Sequence, residues 1–186
     1  LTIYKDLITR LNAVIADLDD SEGAFGDADL LYEGDVYLWK KFAASLKLRI
    51  ALRLADVPTI DANTMVTQAL AAGVFTSQDE SAIFNYYGIA PYVGPYYQAY
   101  VLDARKDFCP TNTLVDMMNT LSDPRRAIWF TQYPAGSGAY LGHPYGKTGS
   151  SSYSKFSHFT SLLMEATYPT ILSDYVEVEF LLAEAA

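Results

Sequence analysis

Apolar residues recur at helical spacing between positions 36 and 56, and this segment carries the strongest structural signal in the chain. It contains neither Gly nor Pro, and Ala, Leu, Lys and Arg make up most of it. Six apolar residues form one continuous stripe: Trp39, Phe42, Ala43, Leu46, Ile50 and Leu54. Three more lie on the opposite side: Leu48, Leu52 and Ala55. The pattern therefore predicts a central helix that is packed on two faces, with Asp35 as its N-cap.

Four further segments carry the same helical spacing. They cover residues 2–18, 61–73, 111–121 and 174–186. An Asp or a Thr begins each of the last three, and these residue types commonly cap a helix by accepting a backbone N–H. Gly73 closes the second segment, where the end of a helix favours glycine. Two short stretches, 83–87 and 128–130, instead have the composition of extended strands.

Irregular structure is expected where tyrosine occurs together with glycine, proline or serine. Such residues dominate 86–100 and 129–153, and the Gly- and Ser-rich stretch 142–161 predicts a long irregular loop. Loops of that length are commonly functional or mobile. The chain as a whole is therefore predicted to be mainly α, with long irregular loops and one small pair of strands.

The charged residues of the central segment are expected to have structural roles. Arg49 and Arg53 lie one turn apart beside the apolar stripe, and a buried charge has to be paired because its desolvation is costly. Glu177 and Glu184 share a stripe of the last predicted helix, so we expect ion pairs between these arginines and glutamates. We expect the heads of three lysines of the central segment to stay in water: Lys40, Lys41 and Lys47.

Composition limits the class of protein. The 186 residues are 51% hydrophobic and 19% charged, which indicates one folded domain. A net charge of −9 argues against a nucleic-acid partner. No apolar stretch approaches the length of about 18 residues that a membrane span requires. The single Cys109 is interpreted as a small hydrophobic residue. Because the chain begins inside a predicted helix and ends without a cap, we expect 1–186 to be a single domain fragment truncated at both ends.

No pattern of residues predicts catalysis or a cofactor. The chain contains no G-x-S-x-G elbow, no H-E-x-x-H motif and no P-loop. His143 and His158 have no paired nucleophile and are interpreted as loop residues. The acidic stretch 19–35 supplies the oxygen ligands that calcium prefers, but its spacing differs from the known calcium loop. We therefore expect a solvated, helix-capping loop there, with cation binding left open, and we predict no enzyme, cofactor or metal site.

Three motifs occur in a recognisable order. The first is Tyr-Glu-Gly-Asp at 32–35 followed by the run 39–53, the second is Asp-Pro-Arg at 123–125, and the third is the run 175–185. Together they resemble the SusD/RagB-like outer-membrane lipoproteins, and in particular the SusD-like, starch-binding-associated branch of that family. The motifs span most of the chain. The resemblance implies a SusD-like helical scaffold of tetratricopeptide-like helix pairs.

The resemblance also implies a function and its partners. Members of this family are surface-exposed outer-membrane lipoproteins of Bacteroidetes that capture glycans for a SusC-like TonB-dependent transporter in polysaccharide utilisation. Membrane contact would then occur only through a lipid anchor outside residues 1–186. Two alternatives use the same kind of complex, namely peptide binding and a scaffold that only docks proteins. A glycosidase, which would need two carboxylates in one cleft, is a further alternative.

Aromatic residues in the irregular stretches are the candidates for ligand binding. Sugar rings stack on aromatic side chains, and tyrosine adds a polar tip to an apolar ring. Loops on a rigid scaffold commonly carry binding sites. The candidate ligand-binding residues are Tyr92, Tyr96, Tyr97, Trp129, Tyr140 and Tyr145. The opposing interpretation is that most of the tyrosines fill a second layer of the core, or meet the transporter as interface residues.

Overall fold

The computed structural model of the protein describes residues 1–147 and 153–186. Within them the α-helices are α1 (Thr2–Asp17), α2 (Val36–Arg53), α3 (Ala62–Ala72), α4 (Pro95–Tyr97), α5 (Asn112–Thr120), α6 (Arg126–Trp129) and α7 (Tyr175–Ala185). The strands are β1 (Ala82–Phe84) and β2 (Thr170–Ser173). The protein is mainly α with one small pair of strands, which confirms the predicted fold class. The predicted loop 142–161 includes residues 148–152, which lie outside the described residues.

Aspartate side chains determine where three of these helices begin. Each predicted aspartate N-cap accepts a hydrogen bond from the backbone N–H three residues further on: Asp35 from Leu38 at 3.1 Å, Asp61 from Thr64 at 3.0 Å, and Asp174 from Glu177 at 2.7 Å. Thr111 precedes α5 as predicted, but its hydroxyl pairs with the Thr113 hydroxyl at 2.8 Å and makes no side-chain cap. The carboxylate caps thus give the strongest local signals in the sequence.

The chain divides into two compact units, and the first comprises Leu1–Asn85 and Thr170–Ala186. In this unit α2 packs against α1, α3 and α7, so it is central as predicted. Leu48 is fully buried, which confirms that α2 packs on more than its apolar stripe. The main core cluster contains Tyr32, Ala44, Leu48, Ala69, Val74, Phe75, Ala82 and Val178. Strands β1 and β2 pair antiparallel, with Ala82 opposite Ser173.

The side of α2 that faces α1 is less buried than the apolar stripe predicts. Trp39, Phe42 and Leu46 are half-buried, and α1 contributes no buried residue among its sixteen. Apolar side chains of the two helices border two grooves of about 350 and 270 Å³. The stripe is therefore covered over Ala43, Ile50 and Leu54 and only partly covered elsewhere.

Two lysines of α2 contradict the prediction of a solvated lysine face. Lys41 is only 5% exposed, because α2 is covered on this side by the segment that leads into β1. Its ammonium forms an ion pair with Glu80 and donates a 3.0 Å hydrogen bond to the hydroxyl of Thr76. Glu80 also accepts from the backbone N–H of Thr76 at 2.5 Å. Acceptors on a neighbouring segment thus replace water around this charge.

Lys47 is also buried, and its ammonium is held without a carboxylate among the described residues. It donates to the side-chain oxygens of Asn12 at 2.6 Å and Gln68 at 2.7 Å, so it links α1, α2 and α3. Burial lowers the pKa of Lys47, because desolvation penalises the charged form. The prediction failed for both lysines because the elements that cover a helix cannot be read from the pattern of that helix alone.

The acidic stretch before α2 is organised by one carboxylate. Asp29 accepts hydrogen bonds from the backbone N–H groups of Leu31, Tyr32 and Gly34 and from the indole N–H of Trp39. Burial of Asp29 alone would raise its pKa, but these hydrogen bonds outweigh burial and lower it. The carboxylate of Asp29 thus holds the turn that leads into α2. No group of three potential metal-binding side chains occurs among the residues that the structure describes.

The second compact unit comprises Tyr86–Pro169. Its core cluster contains Val115, Met118 and Phe130, with Trp129, Tyr140 and Phe159 packed against it. The prediction of an irregular loop over 86–100 is wrong at its C-terminal end, where α4 continues into a π-helical turn over Gln98–Leu102. Pro95 stands at the first helical position, where its fixed φ favours a helix.

The strand predicted at 128–130 is also wrong. Residues Arg126–Trp129 form α6, and only Phe130 is extended, where it makes an isolated bridge with Phe159. The carbonyl of Asp123 accepts the N–H of Arg126 at 3.3 Å, and its carboxylate accepts the N–H of Arg125 at 2.9 Å. These polar contacts begin a helical turn and override the strand-like composition that follows.

Candidate functional site in residues 86–169

A cavity of about 420 Å³ lies in the second unit, within the size range of small-ligand sites. It is built from two segments that are distant in sequence, residues 106–111 and 143–147, and from Tyr153. Its lining residues are Lys106, Asp107, Cys109, Thr111, His143, Pro144, Tyr145, Gly146, Lys147 and Tyr153. The cavity thus combines two aromatic rings, several hydrogen-bonding groups and three charged side chains.

Backbone pairing at the start of α5 positions the first two wall segments. The N–H of Asn112 donates to the carbonyl of His143 at 2.8 Å, and the N–H of His143 donates to the carbonyl of Pro110 at 2.8 Å. Gly142 lies so close to α5 that an added Cβ would stand 2.5 Å from the Cα of Asn112. The close approach requires glycine at this position and fixes the direction in which the chain leaves it.

Tyr145 is held by its backbone, while its ring stays accessible. Its N–H donates a 2.9 Å hydrogen bond to the side-chain oxygen of Asn112. The side chain is 77% exposed and borders the cavity. A fixed backbone with a free aromatic ring is an arrangement that can stack on a flat apolar face of a ligand.

The second ring of the cavity, Tyr153, is packed in place. It stacks on His158 with ring centroids 3.8 Å apart, and a ring nitrogen of His158 lies 2.7 Å from the carbonyl oxygen of Tyr153. Burial raises the pKa of the Tyr153 phenol, and Cys109 makes a smaller contribution in the same direction. Burial also raises the pKa of the Cys109 thiol. At neutral pH the cavity therefore presents a neutral phenol and a protonated thiol rather than a thiolate nucleophile.

The charges around the cavity that have no ion-pair partner are opposite in sign to the net charge of the chain. Lys106 and Lys147 are exposed, and neither ammonium forms an ion pair with any described residue. Asp107 is paired with Arg105, whose Nε lies 3.0 Å from a carboxylate oxygen. This hydrogen bond lowers the pKa of Asp107 and keeps it ionised. The unpaired charges of the lining are thus positive, although the net charge of the protein is −9.

Three of the six aromatic candidates from the sequence lie in one packed aromatic cluster rather than at the cavity. Tyr96 contacts Phe159 with a centroid distance of 5.6 Å, and Phe159 contacts Phe130 at 6.0 Å. Trp129 and Tyr140 pack against the same core. An arginine lies over each of these two rings, Arg125 at 5.1 Å from Trp129 and Arg126 at 5.5 Å from Tyr140. These contacts give the three rings structural partners.

The other candidates are distributed differently. Tyr92 is 64% exposed and makes an edge-on contact with Tyr87, at a centroid distance of 6.2 Å, on a tight turn. The N–H of Tyr92 donates to the carbonyl of Ile89 at 2.7 Å, which closes that turn. Tyr97 is half-buried within α4. Tyr145 is the one sequence candidate that lines the cavity.

The arginine and glutamate candidates belong to the first unit. Arg49 forms an ion pair with Glu177 and donates to the hydroxyl of Ser173 at 3.0 Å, so it joins α2 to the start of α7. Arg53 and Glu184 are exposed, and the described residues give neither of them an ion pair.

Sequence reasoning missed most of the cavity. Lys106 and Asp107 had no signal, because nothing local indicates that their segment meets the loop 142–161, which contains Lys147. His143 and Tyr153 could have been selected from the long Gly- and Ser-rich loop that contains them. That loop was the usable signal, since such segments are often functional.

These features describe a mainly helical protein in which the loops of one unit border an open, polar cavity that includes two aromatic rings. No helix in the described part of the chain is long and apolar enough to cross a membrane. The sequence matches, over residues 1–186, the SusD-like family described as starch-binding and associating with the outer membrane. The chain belongs to this family, as its motifs predicted.

Solved structures of SusD homologues share the fold. One from Bacteroides uniformis is 28% identical with a TM-score of 0.84, over 99% of this chain and 39% of that one. A chitin-binding SusD homologue from Flavobacterium johnsoniae is 25% identical with a TM-score of 0.82, over 100% of this chain and 39% of that one. The chain thus spans about two fifths of the length of these structures. No curated protein sequence matches it.

Proposed function

We propose that this chain is part of a glycan-binding protein of an outer-membrane nutrient uptake system, and that the cavity beside Tyr145 receives a sugar ring. The carrying observation is the pairing of one accessible ring, Tyr145, with a packed phenol, Tyr153, at a cavity of about 420 Å³. Family membership supports a binding role, since the family is described as starch-binding. Capture requires stacking and a few hydrogen bonds, and both are available here.

The cavity supplies the chemistry that such capture needs. The ring of Tyr145 can pack against the C–H face of a pyranose, and the neutral hydroxyl of Tyr153 can donate to or accept from a sugar hydroxyl. Tyr96, Trp129 and Tyr140 remain candidates for ligand contact. Their ring contacts favour a packing role, so their alanine variants are expected to lower stability before they alter affinity.

Calorimetry on the full chain tests this site. Chito-oligosaccharide and malto-oligosaccharide are the first ligands, because one relative is named chitin-binding and the family is described as starch-binding. Tyr145→Ala is expected to weaken binding about tenfold, which corresponds to about 1.4 kcal/mol. Tyr92→Ala is the matched control, since it removes another exposed tyrosine of the same unit that lies outside the cavity. Loss of binding in the Tyr92→Ala control alone would contradict a site at the cavity and would indicate that the ligand binds at the turn at 87–92.

We also propose the partner and the location that the resemblance implied. The whole protein would sit at the cell surface as a lipoprotein and deliver oligosaccharide to a SusC-like TonB-dependent transporter. Co-purification of the tagged protein with a transporter, together with protease treatment of intact cells, tests both statements. Protection from the protease in intact cells would contradict the surface location.

A protein-docking role is the second candidate, and one observation favours it. The tight turn at 87–92 exposes three apolar side chains: Tyr87 at 64%, Ile89 at 73% and Tyr92 at 64%. Aromatic residues are enriched at protein interfaces. Tyr87→Ala and Tyr92→Ala would weaken association with the transporter while sugar binding persists. A glycosidase would instead release products on incubation with polysaccharide, and we expect none.

A further inference from the structure

We infer that the cavity beside Tyr145 selects saccharides that carry a negative charge, such as uronates or sulfate esters. The inference rests on the proposed function, because it names the class of sugar that the same site prefers. It follows from the charges of the lining residues and from which of them are already paired. These charges are expected to attract an anionic sugar more strongly than a neutral one.

Lys106 and Lys147 provide the attraction. Both line the cavity, both are exposed, and the described residues give neither an ion pair. An ammonium group offers three hydrogen-bond donors and no acceptor, so its best ligand is an anionic oxygen. A neutral sugar can hydrogen-bond to these groups but leaves both charges uncompensated.

The carboxylate of the lining does not cancel this attraction. Asp107 accepts from Arg105 through both of its oxygens, with Nε at 3.0 Å and Nη2 at 2.5 Å. The guanidinium therefore uses the lone pairs that would otherwise repel an anion or pair with a lysine. The hydrogen bond with Asp107 is the largest cause of the raised pKa of Arg105, and the charge of Asp103 contributes less. Asp103 itself accepts from the amide of Gln98 at 2.8 Å.

The position of the positive charge within an acidic protein strengthens the argument. The chain has 13 Lys and Arg against 22 Asp and Glu, so a randomly placed cavity would have an acidic border. Here the free charges among the lining residues are cationic, and they share the cavity with the accessible ring of Tyr145. An anionic sugar can therefore stack on the ring and place its acid group near an ammonium.

The test compares sugars of equal length and different charge on the full chain. Oligogalacturonate supplies the carboxylate, a sulfated galactan oligosaccharide supplies the sulfate ester, and chito-oligosaccharide and malto-oligosaccharide are neutral. Affinity for at least one anionic sugar is expected to exceed that for the neutral ones about tenfold and to fall as salt is raised. The tighter of the two anionic ligands identifies the acid group that is recognised.

Lysine variants assign the effect to the cavity. Lys106→Gln and Lys147→Gln are each expected to weaken anionic binding about fivefold and to weaken neutral binding by a smaller factor, because glutamine keeps a hydrogen-bonding group but not the charge. Lys5→Gln removes the same charge from an exposed position of α1 in the other unit. It should change neither the affinity for anionic sugars nor the affinity for neutral sugars. Both cavity lysines are exposed, so the variants are expected to fold, and circular dichroism checks this.

The outcomes separate the two proposals. Equal affinity for neutral and anionic sugars, or unchanged anionic binding in both cavity variants, overturns the charge selection and leaves the glycan-binding proposal in place. Failure of the intact chain to bind any of the four sugars overturns the glycan-binding proposal and the charge selection with it.

Discussion

The indole N–H of Trp39 donates a 2.6 Å hydrogen bond to the carboxylate of Asp29. The bond joins the first turns of α2 to the preceding loop, where the same carboxylate accepts three backbone N–H groups. The ring of Trp39 also makes an edge-on contact with Tyr32 at 5.5 Å and a tilted contact with Phe42 at 6.0 Å. Trp39 thus contributes through both its apolar ring and its polar edge.

Two substitutions at Trp39 separate these contributions. Trp39→Phe keeps an aromatic ring but removes the donor, and it is expected to lower the free energy of unfolding by about 1 kcal/mol. Trp39→Ala also removes the ring contacts and is expected to cost about 3 kcal/mol, the lower end for aromatic truncations, because the residue is only half-buried. Urea denaturation measures both. Equal losses in the two variants would mean that ring packing contributes nothing.

Asp29 is expected to make folding stability dependent on acid. The pKa of Asp29 is lowered in the folded state, so the native protein binds this proton less readily than the unfolded chain does. Its stabilising contribution is therefore complete above the unfolded pKa of about 3.9 and is lost as the pH falls through the folded pKa. Urea denaturation between pH 7 and pH 2 measures this contribution, because the range extends below the unfolded pKa. Asp29→Asn should flatten the profile, whereas Asp27→Asn, at an exposed position in the same loop, should not.

The buried Lys41–Glu80 pair predicts an asymmetric response to mutation. The side chains of Lys41 and Glu80 are only 6% and 16% exposed. Glu80→Gln leaves the ammonium of Lys41 buried without its counter-charge and is expected to cost about 3 kcal/mol. Adding Lys41→Met removes that uncompensated charge, so the double variant should recover part of the loss. Thermal denaturation of the single and double variants measures this. A double variant that is less stable than Glu80→Gln would contradict the explanation.

Arg49 and Glu177 should couple more weakly, because their side chains are 23% and 39% exposed. Solvent screening reduces such a pair to about 1 kcal/mol or less. A double-mutant cycle with Arg49→Ala and Glu177→Ala measures the coupling, and Arg53→Ala with Glu184→Ala serves as the unpaired control cycle. A coupling energy above about 3 kcal/mol would show that the pair behaves as a buried one.

The starts of the helices were predictable because their determinants are local. Asp35, Asp61 and Asp174 each accept an N–H only three residues away, so the signal and its effect lie in the same short stretch. Local composition was misleading at Trp129, because the strand-like residues around it follow a helical turn that Asp123 begins. A residue-type preference of a few tenths of a kcal/mol is easily overridden by such contacts.

The cavity was not predictable because distant residues build it. Tyr145 is positioned by Asn112, which lies 33 residues earlier in the chain. Lys106 and Lys147 line the same cavity although they come from segments that are far apart in the chain. The prediction that the ammonium of Lys47 stays in water failed for the same reason, since its partners Asn12 and Gln68 come from two other helices. Sequence patterns report the elements, whereas side-chain environments depend on which elements meet.

The two tryptophans of the chain are divided between the two compact units, Trp39 in the first and Trp129 in the second. Each unit therefore carries its own intrinsic fluorophore. In a Trp129→Phe variant all indole emission reports on the surroundings of Asp29 and α2, and in a Trp39→Phe variant it reports on the aromatic core around Phe130. Denaturation followed by emission in these two variants assigns a separate unfolding midpoint to each unit without any added label.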